Sequence, residues 1–438
     1  MDALSQSPAD VTLESLKAEI RSRRHEFHQL RHIPIDIVRQ FQAIGIYRAF
    51  VPERFGGDAL SPAAFCRLIE EIASADASAG WVASFGVSAT YLAALPKETY
   101  ASIYSKDPNT VFAGGLFPPQ LAKRVPGGLE VTGRWPWGSG VMGASLVGAG
   151  IKIEGEDSPL PRTAVMPRHA VTVDETWDTV GLRATGSHDI VANKVVVPEE
   201  WTFIRGGKPE MDDPIFHYPA MALAAQVLAV VALGTARAAL DWLSEDATKR
   251  ASITGAPSPA ARGYIQTGFA RAEGLLSGAR AGFYDAIEEG WQQMLEKGGV
   301  DRATHIRLRH AASKAAEDGA EAARLAFVMG GSDAMMSGHP LGRCMIDAAC
   351  VAQHAFIGAG SWQAAGAALL GQPVPPDIRE TFTLISTERI NKWLKPNKSA
   401  PCSASPCTRT SSICPSTRSA ASGRALPRSC RALPRWKA

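Results

Sequence analysis

Residues 188–198, HDIVANKVVVP, decide how this chain is built. The run is dominated by β-branched side chains, which suit a pleated, half-buried surface, and it stops at a proline that cannot donate to a ladder. It reads as a strand. Working outward, the same texture recurs in TVFAGGL (110–116), LEVTGRW (129–135), SLVGAGIKI (145–153) and TAVMP (163–167). These short alternating or β-branched runs are separated by Gly, Pro and Asp, and they predict an antiparallel β-barrel domain over 106–210.

Both flanks change period. Residues 11–46, VTLESLKAEIRSRRHEFHQLRHIPIDIVRQFQAIGI, place apolar residues at helical spacing with charged faces between them. In the helical pattern that follows, Ser61-Pro62 suits an N-cap and first helical position. Long helical patterns return beyond 210, with breaks near TGAPSP, EKGGVD and GGSDAMMSGHP. The expected class is α+β, mainly α: an N-terminal helical domain over 10–105, the barrel, and a C-terminal four-helix bundle over 211–395. Residues 396–438, rich in Ser, Pro, Arg and Ala without apolar periodicity, are expected to be a disordered basic tail.

That tail distorts the charge balance. Of 46 Lys and Arg, eight lie in 397–438, which hold no Asp or Glu; the remaining 38 stand against 43 acids, so the body carries about −5. A mildly acidic body gives no reason to expect nucleic acid. Four of the seven Cys also fall in the tail, and only Cys66, Cys344 and Cys350 precede it, a spacing that fits no zinc template, so no metal site is expected. The apolar run AMALAAQVLAVVALGTARAAL (220–240) is broken by Gln226 and closed by Arg237. It reads as a buried bundle helix rather than a membrane span. The N-terminus has early acids and no apolar segment, which predicts a cytoplasmic protein.

GSGVMG (138–143) satisfies G-x-G-x-x-G, but ASLVGAGIKI follows it and reads as a strand, so no helix N-terminus is offered to a pyrophosphate. The match is a coincidence of Gly-rich turns.

The helix–barrel–helix order resembles the acyl-CoA dehydrogenase fold, and four segments carry the resemblance in register: VPERFGG (51–57), VTGRWPWGSG (131–140), TVGLRATGSHDIVANKVVVPEEWTF (179–203) and FVMGGSDAMMSGHPLGRCMIDA (327–348). It covers roughly residues 15–390. In the short-chain dehydrogenases, a Glu seven to nine positions beyond the Asp removes the α-proton. RCMIDAACVAQHAFIGAG (343–360) reads as one helix of small apolar residues that carries His354. Counting from Asp347 here gives His354, Ala355 and Phe356, and a methyl group cannot accept a proton. Asp followed by His seven residues later instead resembles the oxygenase subunits of two-component flavin monooxygenases, such as the 4-hydroxyphenylacetate and secosteroid phenol hydroxylases.

That resemblance implies reduced FMN or FAD supplied by a separate NAD(P)H-dependent flavin reductase, oxygen addition as a hydroperoxyflavin, and hydroxylation of a small aromatic or heteroaromatic substrate by a homotetramer. It implies His354 and Ser139 as catalytic groups, with Ser139 beside the reactive flavin nitrogen. Trp135, Trp137, Ser139, Arg250, Gly330, Gly331, Arg343 and Asp347 would hold the cofactor. Each has a plain alternative. His354 could be a packed core His bonded to a backbone carbonyl, and Ser139 a turn Ser between glycines. Trp135 and Trp137 could fill the barrel core. Arg250 could end a helix, Arg343 and Asp347 could be a surface pair, and Gly330-Gly331 a helix-ending turn.

Many phenol hydroxylases of the branch carry a second His after Gly-Trp. Residues 80–95, GWVASFGVSATYLAAL, offer Ser84, Ser88 and Thr90 instead. A substrate that needs no deprotonation, such as an indole, fits that better. Ser84, Ser88, Phe112 and Phe117 are the candidate substrate-binding residues. Two alternatives stand beside this reading: an FAD-dependent acyl-CoA dehydrogenase with its base elsewhere, for which Glu70 and Glu71 are not obvious substitutes since both lie on a charged helical face, and an inactive flavin-binding scaffold.

Overall fold

A computed structural model describes residues 11–156, 161–204, 207, 209–249, 255 and 257–373. The expected basic tail and Arg250 lie outside the described residues.

The chain enters on a capping box, with Thr12 Oγ1 accepting from the Ser15 amide at 3.1 Å and Ser15 Oγ accepting from the Thr12 amide at 3.0 Å. It opens α1 (Leu13–Leu30), which is followed by α2 (Ile35–Ala43), α3 (Pro62–Ala75), α4 (Ala77–Ser84), α5 (Ser88–Leu92) and α6 (Lys97–Tyr104). Ser61 caps α3 through the Ala64 amide with Pro62 in the first turn, as its dipeptide predicts. Asp76 then caps α4 through the Ala79 amide at 3.0 Å.

Among the described residues seven strands follow: β1 (Phe112–Val125), β2 (Gly128–Gly138), β3 (Leu146–Ile153), β4 (Arg162–Pro167), β5 (Thr172–Asp174), β6 (His188–Val197) and β7 (Thr202–Ile204). The expected closed antiparallel barrel is not what forms. The strands make one open sheet in the order β5-β6-β2-β1-β3-β4-β7, and β1 pairs with β3 in parallel. Residues 139–145 bring this about. They carry the chain past the start of β1, where the Leu146 amide donates to Val111 O, so β3 sets off in the β1 direction. Side chains alternate with a period of two in either pairing, so the sequence pattern could not separate them. Residues 138–143 form the end of β2 and a single 3-10 turn before β3, with no helix.

The remaining helices among the described residues are α7 (Pro214–His217), α8 (Ala220–Lys249), α9 (Gly263–Lys297), α10 (Arg302–Gly330), α11 (Pro340–Ala352) and α12 (Ala359–Leu369). Their breaks are chemical. Gly298 ends α9 at φ 66°, and Asp301 caps α10 through the Thr304 amide. Helix α8 is long and apolar enough to cross a membrane by length and composition, yet 89% of its apolar window is buried inside the chain. Two glycines explain how closely it is clasped. A Cβ at Gly234 would lie 2.3 Å from Glu70 O of α3, and one at Gly319 of α10 would lie 2.9 Å from the Ala232 backbone. The chain is mostly helical, with helical N- and C-terminal parts around a mixed sheet.

Candidate active site

His354 does not sit on a helix. Helix α11 ends at Ala352, and His354 stands in the turn before α12, half-buried. The Phe356 amide donates to its Nδ1 at 3.2 Å, so the neutral ring carries its proton on Nε2. Its ring lies edge-on to Phe356 (centroids 4.8 Å) and to Trp81 (5.5 Å). Trp81 comes from α4, whose Gly80 packs against Ala73 so tightly that a Cβ would lie 2.6 Å from the Ala73 Cβ.

The other edge of Trp81 reaches Ser139. Its indole N–H donates to Ser139 Oγ at 3.3 Å, and Ser139 Oγ lies 2.7 Å from Ser187 Oγ. Ser187 Oγ lies 2.7 Å from Thr185 Oγ1, which donates to Leu182 O at 2.9 Å. The Leu182 amide in turn donates to Asp347 Oδ1 at 2.7 Å. A continuous path therefore joins His354, Trp81, Ser139 and Asp347. Trp81, Thr185 and Ser187 are additions to the residues read from sequence. Trp81 stood in the Gly-Trp pair read only for a missing His, and Thr185 and Ser187 stood in the quoted ATGSHD run.

Asp347 is buried, and its pKa is pushed up from 3.8 to about 7, first by burial and then by the nearby Asp76; the Leu182 amide, Arg343 and Arg24 pull the other way. The exposed Arg343–Asp347 pair is corrected accordingly: Asp347 spends its oxygen on a backbone amide of another element, and Arg343 acts on it as a nearby charge.

The two strand tryptophans divide. Trp135 is fully buried in the sheet core, its indole donating to Gly150 O at 2.8 Å, which is the packing alternative. Trp137 is 65% exposed and holds φ 68°, a left-handed conformation costly for a side chain with a Cβ. It lies at a register shift between Trp135 and Gly138, where the extra residue turns it off the sheet. Trp177 backs it edge-on at 5.3 Å. Trp177 is itself fixed: its amide donates to His188 Nδ1 at 3.1 Å and its indole to Leu182 O at 3.1 Å. Burial lowers the His188 pKa, keeping that imidazole neutral and able to accept.

The remaining candidates lie elsewhere. Ser84 donates to Trp81 O within its own helix, and Ser88 donates to Phe85 O with Phe112 O of β1 also in reach at 3.2 Å, which takes up both hydroxyls. Phe112 is buried in the core, and Phe117 is 62% exposed on β1. Gly330 ends α10, and Gly331 at φ 71° turns the chain away, so both serve the helix end. Glu70 is not on an exposed charged face. It is buried, accepting from Arg280 Nε and from Tyr284 Oη, each at 2.6 Å, while Glu71 pairs with Lys17. A carboxylate held this way is poorly placed to take a substrate proton. Among the described residues no cluster of His, Cys, Asp and Glu could hold a metal ion.

Whether a flavin fits can be judged from the donor set. An exposed indole held against a second indole offers a flat apolar face, and Ser139 and His354 offer polar atoms of different kinds joined through Trp81. A planar ring with polar edges suits this combination.

The chain matches two families along its length: "Acyl-CoA dehydrogenase, N-terminal domain" over residues 8–99 and "Acyl-CoA dehydrogenase, C-terminal domain" over 226–358. Indole-3-acetate monooxygenase of Pseudomonas putida is 51% identical over 376 residues, covering 85% of this chain and 96% of that protein. The flavin-dependent monooxygenase oxygenase subunit HsaA of Rhodococcus jostii is 33% identical over 188 residues, covering 42% and 49%. The crystal structure of 3-HSA hydroxylase from Rhodococcus sp. RHA1 superposes with a TM-score of 0.77 at 25% identity, covering 84% of this chain and 97% of that one. The identity to the Pseudomonas putida enzyme over nearly its whole length, with both family matches, shows the family: the chain belongs to the flavin-dependent monooxygenases of the acyl-CoA dehydrogenase fold.

Proposed function

We propose that this protein is the oxygenase component of a two-component system that oxygenates an indole carboxylate, with indole-3-acetate as the first substrate to test. The observation that carries the substrate class is the 51% identity to the Pseudomonas putida indole-3-acetate monooxygenase across 96% of its length. The missing second His near Trp81 supports it, because an indole ring needs no phenol deprotonation before oxygen transfer.

Reduced FMN or FAD, delivered by a separate NAD(P)H-dependent reductase, would supply the oxygen activation. The residues do the rest. Trp137, stiffened by Trp177, would stack on the flavin ring. Ser139 would face one ring edge, with Trp81 fixing its oxygen. His354, its tautomer set by the Phe356 amide, would hold or move a proton at Nε2. Asp347 would act indirectly, tying the Leu182–Ser187 turn to α11.

The same reading divides the chain near residues 105 and 210, arranges α8–α11 as a four-helix bundle and places the protein in the cytoplasm. Exposed Val328, Met335 and Met336 beside the end of α10 support assembly into a homotetramer through that face.

The test mixes the full chain with photoreduced FMN or FAD, indole-3-acetate and ¹⁸O₂. Consumption of the indole with one labelled oxygen in the product is expected. Complete recovery of the reducing equivalents as hydrogen peroxide, with the indole untouched, overturns the proposed substrate.

A further inference from the structure

The hydroxyl path at Ser139 has a direction, and the direction can be counted. Three oxygen–oxygen contacts lie in series: Ser139 to Ser187 at 2.7 Å, Ser187 to Thr185 at 2.7 Å, and Thr185 to the Leu182 carbonyl at 2.9 Å. Each contact at such a distance needs one proton between its oxygens. Three hydroxyl protons are available, and the carbonyl brings none. Only one arrangement satisfies all three contacts. Thr185 donates to Leu182, Ser187 donates to Thr185, and Ser139 donates to Ser187. All three side chains are buried, so bulk water does not compete for these protons. Trp81 meanwhile donates into Ser139 Oγ. The Ser139 hydroxyl proton is therefore committed inward, and what the oxygen has left is a lone pair.

We infer that Ser139 meets the flavin as an acceptor only, and that Thr185 and Ser187 thereby make the site select reduced flavin over oxidised flavin. This rests on the placement of the flavin ring against Ser139 proposed above. The chemistry of the two redox forms gives the selection. Reduced flavin carries a proton on N5 and can donate it to Ser139. Oxidised flavin presents a bare lone pair at N5, which would face a second lone pair across a dry contact. One form gains a hydrogen bond and the other leaves a buried acceptor unsatisfied, a difference of about tenfold in binding. Such a bias suits an oxygenase that must capture a reduced cofactor and let the spent one go. Thr185 and Ser187 act through Ser139 and are positioning residues.

The experiment is an anaerobic titration of the full chain with FMN and with FAD, each oxidised or dithionite-reduced, following quenching of tryptophan fluorescence. The readout is the ratio of the two dissociation constants. Wild type is expected to bind the reduced form at least about tenfold more tightly. Ser187→Ala removes the acceptor for the Ser139 proton. Thr185→Val lets Ser187 turn its proton towards Ser139. Either change frees the Ser139 proton to point outward, so each should cut the ratio about tenfold, mainly by tightening the oxidised form. Thr185→Ser keeps the path and should keep the wild-type ratio.

Equal affinity of wild type for the two forms overturns the inference outright, whatever the variants do. A Ser187→Ala or Thr185→Val protein that weakens both forms equally also overturns it, since that is what loss of packing alone would give. Ser139→Ala separates the two readings. If it weakens reduced flavin while the ratio in the other variants stays fixed, the flavin site stands and the directional path fails. If it changes neither affinity, the flavin placement itself is wrong.

Discussion

The Asp347 carboxylate on α11 accepts a 2.7 Å hydrogen bond from the Leu182 backbone amide, 165 residues earlier in the chain. That bond pins the turn carrying Thr185 and Ser187 to the helix that leads into His354. It is made by a carboxyl group whose pKa is raised to about 7 by burial and by Asp76. The sign follows directly. The folded protein holds this proton more tightly than the unfolded chain does, so the group's contribution is full below its ordinary value of 3.8 and is lost as pH rises through about 7. Wild-type stability should fall across this window by roughly 2–4 kcal/mol from this group alone. Asp347→Asn keeps an acceptor for the Leu182 amide and removes the titration. Chemical denaturation from pH 4 to 8 should show a flatter profile in the variant, and identical slopes would count against the raised value.

His354→Ala should leave reduced-flavin affinity within about threefold while lowering product formed per flavin oxidised by about a hundredfold, the scale of a lost proton-transfer group. Hydrogen peroxide should rise in proportion. Unchanged coupling would return His354 to a packed core role.

Trp137→Gly separates binding from folding. Glycine relieves a left-handed strain of about 1 kcal/mol but gives up the contact with Trp177 and adds chain entropy. The Tm should stay within about 3 °C of wild type. Affinity for reduced flavin should nevertheless fall at least about fivefold, the loss of one aromatic stacking contact. A large drop in Tm with intact flavin binding would assign Trp137 to structure.

Glu70→Gln tests the dehydrogenase alternative. Removing the charge facing Arg280 and Tyr284 should cost about 2 kcal/mol of stability and leave coupling of flavin oxidation to product near wild type. Reduction of bound FAD by an acyl-CoA in wild type, abolished in the variant, would make Glu70 the base of a dehydrogenase.

Local chemistry was legible in the sequence. Ser61-Pro62 foretells the α3 cap, Gly298 and Asp301 mark the α9–α10 break, and the β-branched runs locate five of the seven strands among the described residues. The two that escaped, β5 and β7, are three residues long and carry no pattern to read. The end of α11 has no local mark, since Cys350, Val351 and Ala352 give no stop signal before Gln353 turns the chain.

By itself, then, the sequence determined which segments become helices and strands, because caps, turns and apolar spacing act over a few neighbouring residues. It also set His354 seven residues beyond Asp347. Only the tertiary structure decided that β1 and β3 run parallel, that Glu70 is locked between Arg280 and Tyr284, and that Trp81, Ser139, Ser187 and Thr185 share one path of protons. Trp81 and Ser139 are 58 residues apart, and Ser139 and Ser187 are 48 apart. A hydrogen bond between such distant residues leaves no periodic trace in the chain; it exists only once packing has excluded water and brought the oxygens within reach.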